Sequence, residues 1–273
     1  MITDFEITIL SENTAVSEKF SAEHGLSMLL NYKGEKLLFD FGASDCFRKN
    51  ASVMNIDIDS IHNAFVSHGH NDHSGGLQYF NGRIFCTSAV TQKHFSHHAG
   101  KPVRNLSMPE SSLLQFNKSE IYFADAFTEI MPGIFSTGRI PRISIEDCGG
   151  PFFKDENKKF PDLIEDESAL LTIDGTLIHG CCHAGLINTL EHCRKYQPDI
   201  KIHTIIGGLH LLNADEKRLK LTVEYLQKYD IKQLYLMHCI GNDAINHLKR
   251  LLNNCQIFTP HAGETFIIKQ FKK

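Results

Sequence analysis

The stretch Ser67-His68-Gly69-His70-Asn71-Asp72-His73-Ser74-Gly75-Gly76-Leu77 follows directly on the apolar run Ala64-Phe65-Val66. An apolar run that ends in polar, glycine-bearing residues reads as a buried strand delivering a tight loop. Three histidines and one aspartate fall within six residues of that loop, so four metal-ligating side chains sit at one strand end. His68 and His70 are two apart, which on extended backbone puts them on the same side, able to grip one divalent ion. Asp72 and His73 come where the chain turns and can point at a second ion. Imidazole nitrogen with carboxylate oxygen suits zinc best, with iron and manganese possible. A His-rich surface turn is the plain alternative, but four ligands at this spacing are far more specific than a lone histidine. Two ions bridged by water would supply hydroxide at neutral pH and a Lewis acid for a substrate oxygen.

At these residues the chain resembles the metallo-β-lactamase superfamily, whose His-x-His-x-Asp-His signature is met in full by His68, His70, Asp72 and His73. The resemblance covers nearly the whole chain. It implies an α/β fold built as a four-layer αββα sandwich, two sheets face to face with helices outside.

The chain has 273 residues, long for an average domain but normal for one large α/β layer fold. We therefore expect a single domain over 1–273. A hydrophobic content of 42%, a charged content of 22% and a net charge of −4 fit a globular enzyme and give no basic block for nucleic acid. There is no apolar run long enough to span a membrane. Met1 to Leu10 alternates like a strand and does not read as a signal peptide. Eight cysteines without disulfide-like spacing fit a reducing cytoplasm better than secretion.

In chain order, Phe5–Leu10 alternates with period two and predicts a half-buried strand. Lys33-Gly34 predicts a hairpin turn into Lys36–Asp40. Arg83–Thr87 reads as a further strand. Ala89 to His98 predicts a helix with His94, His97 and His98 on one solvated polar face, a face that could mimic a metal site but has no further ligand nearby in sequence. Ile121–Phe123 and Ile134–Thr137 look like strands. Residues 138–168 carry prolines, glycines and charges that break any regular pattern, predicting an irregular insertion or lid. Arg139 and Arg142 there could pair with a substrate phosphate or carboxylate.

Ala169–Ile173, the Asp174-Gly175 turn and Thr176–His179 form a hairpin that runs into Gly180-Cys181-Cys182-His183-Ala184-Gly185. A helix should follow, with Leu186, Leu190 and Cys193 on one stripe. Ile202–Ile206 leads to Gly207-Gly208-Leu209-His210, and Asn213 with Glu216 resembles a capping box for the next helix. Gln233–Met237 delivers His238-Cys239-Ile240-Gly241. A helix with Ile245, Leu248 and Leu252 inward follows, and strands at 256–258 and 265–268 close the chain.

The resemblance extends to roles. An aspartate at the place of Asp40 supports the metal loop by hydrogen bonds. The strand end at Gly180 supplies a metal ligand, commonly an aspartate after a glycine. Here Cys181 occupies that place and His183 lies two residues on. His183 is favoured because neutral imidazole needs no thiol deprotonation, while Cys181 could be a bridging thiolate or a small core residue. His238 resembles the last ligand position. His68, His70 and His183 are then expected to hold one divalent ion, with zinc the expected metal and iron or manganese possible, and Asp72, His73 and His238 the other. The hydroxide they activate is expected to attack an ester, phosphoester or lactone-like centre, with Asp72 orienting it. His210 is a candidate proton-transfer group, as a structural histidine would also explain it, and His261 is read in the same way.

Glu23–Ser27, Gly138–Arg142, Gly180–Gly185, Ile206–His210 and His238–Gly241 together resemble one branch of dihydropteroate-synthase-like members, which includes the methanopterin-pathway ribofuranosylaminobenzene-phosphate synthase. That branch implies a small-molecule substrate, phosphorylated or pterin-like, and admits a synthase joining a phosphoribosyl donor to an aryl acid or pterin. A diiron oxygen-reducing centre is disfavoured by His70. A catalytically silent sensor is disfavoured by the complete ligand set. A homo-oligomer is compatible with all of these readings.

Overall fold

The computed structural model describes residues 5–146, 150–269 and 271. Met1 to Asp4 of the first expected strand, and Gly149 in the irregular segment, lie outside the described residues. The elements run β1 (Phe5–Ser11), β2 (Ser27–Tyr32), β3 (Glu35–Phe39), α1 (Cys46–Val53), β4 (Asn63–Phe65), α2 (Asn71–Ser74), β5 (Arg83–Cys86), β6 (Phe95–Ser96), β7 (Arg104–Asn105), α3 (Glu110–Phe116) and β8 (Glu120–Phe123). They continue with β9 (Thr128–Met131), β10 (Ile134–Ser136), β11 (Phe152–Phe153), β12 (Leu170–Thr172), β13 (Thr176–Ile178) and α4 (Leu186–Tyr196). The last are β14 (Thr204–Gly207), α5 (Glu216–Lys228), β15 (Gln233–Leu236), α6 (Asn242–Leu251), β16 (Gln256–Phe258) and β17 (Thr265–Ile268).

The chain divides into two compact units. The first comprises Met1–Phe123, Pro151–Asp162 and Pro260–Lys273; the second comprises Ala124–Gly150 and Leu163–Thr259. The first holds a seven-stranded sheet in the order β17-β1-β2-β3-β4-β5-β8. β17, β1, β2 and β3 pair antiparallel, whereas β3, β4, β5 and β8 run parallel. The register sets Leu29, Leu38, Ala64 and Ile84 in one row. These join Phe47 and Ala51 of α1 and Phe116 of α3 in a buried core. The opposite face carries Met28, Phe39, Phe65 and Phe85, also buried, which is why these strands read as continuous apolar runs.

The second unit repeats the plan. Its sheet has the order β16-β15-β14-β13-β12-β10-β9, antiparallel from β9 to β13 and parallel from β13 to β16. Leu171, Leu177, Ile205 and Leu234 share one row and pack with Leu190 of α4, Leu226 of α5 and Leu248 of α6. Parallel neighbours need a crossover, and the helices supply it. The expected capping box at Asn213 is displaced: α5 is capped by Asp215, whose carboxylate accepts from Arg218 N, two residues later than the spacing suggested.

The helix expected over Ala89–His98 is absent. The segment turns and then forms β6, which pairs with β7 and β11 in a three-stranded sheet. Its residues are middling helix formers, so tertiary pairing decides. His94 and His97 are buried rather than on a solvated face, and His94 Nδ1 lies 2.6 Å from Asp162 Oδ2; only His98 is exposed. Among its described residues the 138–168 segment is irregular apart from β11 and a bridge between Phe153 and Pro161.

The loop after β4 lies directly on the backbone that leaves β3. A Cβ at Gly76 would fall on the carbonyl oxygens of Phe41 and Ser44, and one at Gly75 on that of Ala43. Both obstacles are main chain and cannot swing aside. Gly76→Ala is therefore expected to cost about 2–4 kcal/mol, read as a lower midpoint in chemical denaturation. A midpoint equal to wild type would show that the loop does not need this approach.

Candidate metal centre

Both sheets present chemistry at the carboxyl ends of their parallel strands, where open α/β sheets place ligands. In the first unit, β3 ends at Phe39 and delivers Asp40, while β4 delivers His68, His70, Asp72 and His73. Asp40 is fully buried, at φ +54°. Its Oδ1 accepts from Ser67 N at 2.7 Å; its Oδ2 accepts from Ser67 Oγ at 2.7 Å and pairs with His73 Nδ1 at 2.7 Å. These are the contacts through which Asp40 holds the start of the β4 loop.

Proton counting then sets two tautomers. A carboxylate only accepts, so His73 carries a proton on Nδ1, and Nε2 is the nitrogen left to ligate when the ring is neutral. Ser67 has one hydroxyl proton and gives it to Asp40. Its contact with His68 Nδ1, at 2.9 Å, is therefore donated by the imidazole, and His68 likewise presents Nε2. Burial drives the His68 pKa well below its ordinary value, with the nearby rings of His73 and His70 adding to the effect. Neutral, oriented imidazole is what a metal ligand requires.

The rings of His68 and His70 lie 4.6 Å apart and those of His68 and His73 4.3 Å apart. Asp72, in the short helix α2, is mostly covered, and its Oδ2 lies 3.3 Å from Nε2 of the exposed His24. His94 adds an imidazole 5.0 Å from the His70 ring.

In the second unit, β13, β14 and β15 are parallel neighbours, so the loops at Cys181–His183, Leu209–His210 and His238–Cys239 leave one sheet edge together. His183 N and Ala184 N each donate to Glu167 at 2.6 Å. Burial pushes the Glu167 carboxyl up to about 7, against the two amides that favour its charged form. The His183 and His210 rings are 4.5 Å apart. Burial lowers the His210 pKa. Its carbonyl accepts from Arg218 Nη1 at 2.9 Å, and Arg218 pairs at 3.5 Å with Glu146, which also accepts from Ile187 N in the first turn of α4. Donor atoms of Cys181, His238 and Cys239 lie within 4.8 Å of one another. Burial would raise the Cys239 pKa, but the hydrogen bond with the Cys181 side chain and the imidazoles of His238 and His210 outweigh it and hold the thiol well below its ordinary value.

Arg139 is engaged by Asp125 at 2.9 Å, and Arg142 donates to the Leu163 carbonyl, so both have partners within their own unit. Glu167, Glu146, Arg218, Cys239 and the contact of His24 with Asp72 were not singled out from sequence. His24 and Cys239 lay in quoted motifs, Glu23–Ser27 and His238–Gly241, and could have been found there; Glu167, Glu146 and Arg218 carry no spacing signal. Donor-set chemistry in both units fits divalent metal: neutral imidazoles, a carboxylate and thiols, backed by oriented partners.

The metallo-beta-lactamase superfamily model matches residues 21–188, more than half of the chain. The chain belongs to the metallo-β-lactamase superfamily. It has the fold of that superfamily, and its signature residues are those on the β4 loop. An uncharacterized protein of Methanocaldococcus jannaschii is 29% identical over 254 residues, 90% of this chain and 95% of that one. The 7,8-dihydropterin-6-methyl-4-(β-D-ribofuranosyl)-aminobenzene-5'-phosphate synthase of the same organism is 28% identical over 271 residues, with 90% of each chain covered. Among solved structures, one described as a metal-dependent hydrolase of the β-lactamase superfamily superposes with a TM-score of 0.84 at 27% identity, covering 97% of this chain and 100% of that one.

Asp40→Asn tests the proton chain. An amide that donates to His73 Nδ1 forces the proton onto Nε2, the atom a ligand needs bare. Metal affinity should fall about 10- to 100-fold in competition with a chromophoric chelator, with the circular dichroism spectrum unchanged. Wild-type affinity would refute the assigned tautomers.

Proposed function

We propose that this protein is a metal-dependent hydrolase acting on an ester, phosphoester or lactone-like small molecule, with the whole chain serving as one catalytic domain. His68, His70 and His183 would hold one divalent ion, and Asp72, His73 and His238 a second, with zinc as the expected metal. When bound, the ions would supply Lewis acidity and lower the pKa of a coordinated water. The observation that carries this reading is the Asp40–Ser67 network, which places a proton on Nδ1 of His68 and His73 and so makes Nε2 the ligating atom of each neutral ring. The superfamily membership and the hydrolase-described structure at 27% identity support it.

The protein groups then have assignable work. Asp72 orients the attacking water and accepts its proton. The bond from water oxygen to the carbonyl or phosphoryl centre forms, and the bond to the leaving oxygen breaks. His210, whose pKa burial lowers, is assigned to pass that oxygen a proton from one ring nitrogen while taking one up at the other. Arg139 and Arg142, in the segment assigned as a lid, are candidates to meet a substrate anion, at the cost of exchanging their present partners. None of the helices among the described residues is long and apolar enough to cross a membrane, and a reducing cytoplasm remains the compartment we assign.

One observation favours a second reading. The synthase relative matches 90% of this chain at 28% identity, so the same residues could serve bond formation to a dihydropterin or ribofuranosyl-aminobenzene phosphate. There a leaving group, rather than a water, would be activated.

Turnover of activated esters, phosphodiesters and lactones by metal-loaded protein separates the readings. Asp72→Ala should lower kcat/KM about 10²- to 10⁴-fold while the fold survives by circular dichroism. Wild-type turnover in that variant would remove Asp72 from the mechanism. A wild-type protein inert to the panel, but joining a dihydropterin or a phosphoribosyl donor to an aryl acceptor, would establish the synthase reading.

A further inference from the structure

The second unit places two thiols beside one of the assigned metal ligands. Cys181 follows β13 and Cys239 follows β15, and both are buried. Their donor atoms and that of His238 all lie within 4.8 Å of one another. Cys239 Sγ reaches across the intervening strand end to within 3.5 Å of the Cys181 carbonyl.

That reach depends on the strand between them. A Cβ at Gly208, just past β14, would stand 2.5 Å from Cys239 Sγ and 2.8 Å from the Gly180 carbonyl. The missing side chain is what lets loops from two non-adjacent strands bring their sulfurs together. The neighbouring Cys182 behaves differently: it belongs to the helix-side apolar core, with Sγ 4.0 Å from Thr189 Oγ1. Adjacent cysteines thus take separate roles, one as a small core residue and one turned to the sheet edge where the imidazoles are.

We infer that Cys181, His238 and Cys239 form a nitrogen–sulfur donor set, so that the ion His238 helps to hold is a thiolate-bound soft or borderline ion such as zinc. This rests on the reading that His238 is a metal ligand. Thiolate sulfur selects zinc over manganese or magnesium, which prefer oxygen. Binding releases a proton from each ligating thiol, and both sulfurs become ligands rather than a hydrogen-bonded thiol pair. The metal of this protein is then chosen by the second unit, while the first unit's imidazoles and carboxylate would serve several divalent ions.

Cobalt(II) reports on both propositions at once. Cobalt-loaded wild-type protein should show visible d–d bands together with a near-ultraviolet sulfur-to-metal charge-transfer band. Cys239→Ser should lose about half of the near-ultraviolet intensity, and the Cys181→Ser, Cys239→Ser double variant essentially all of it, with d–d bands retained. Visible bands without the near-ultraviolet band in the wild type, or a band that both substitutions leave intact, would overturn the thiolate set and leave the metal reading standing. Absence of d–d bands would overturn both. X-ray absorption on the zinc-loaded wild type needs no variant to fold: a sulfur shell at about 2.3 Å is expected, and a shell of nitrogen and oxygen alone at about 2.0–2.1 Å contradicts it.

Discussion

Everything at the first unit's sheet edge hangs on one buried carboxylate. Asp40 holds the amide and hydroxyl of Ser67 and the Nδ1 proton of His73. A carboxylate buried without such donors would be costly or would neutralise itself; with them it fixes the entry to the loop and the proton on each of two imidazoles. Its left-handed backbone is the geometry that turns the chain off β3 and aims the side chain at the next strand. Gly75 and Gly76 complete the arrangement by letting the loop settle on the same backbone.

The second unit solves the same problem with different parts. Glu167 takes the place of the aspartate, holding the His183 loop through two amides, while the Glu146–Arg218 pair holds the His210 carbonyl and the start of α4. Non-glycine residues in the left-handed region recur at these strand ends: Asp40, Cys182, His210 and His238. Such conformations cost of order 1–3 kcal/mol and persist where the surroundings over-determine them. Each lies one to four residues past a parallel strand, where the chain leaves the sheet sharply.

The tight loop after β4, the hairpin at Lys33-Gly34 and the strand ends at Cys181 and His238 were legible because their signals are local. Apolar runs, turn dipeptides and ligand spacing all sit within a dozen residues. What was not legible depends on partners far along the chain. Cys181 and Cys239 are 58 residues apart, and His94 and Asp162 are 68 apart. The i, i+3, i+4 spacing of His94, His97 and His98 suggested a helix, yet the pairing of β6 with β11 overrode it. Glu167 sits in a stretch whose charges and prolines marked it only as irregular, and the fold shows its carboxylate accepting from two main-chain amides.

Metal content per chain, measured by elemental mass spectrometry on untagged protein purified without chelator, tests the central claim most directly. The proposed ligand sets, His68, His70 and His183 for one ion and Asp72, His73 and His238 for the other, predict about two equivalents of divalent metal, zinc foremost. A content near zero that reconstitution cannot raise would contradict it, and the oriented imidazoles would then need another purpose.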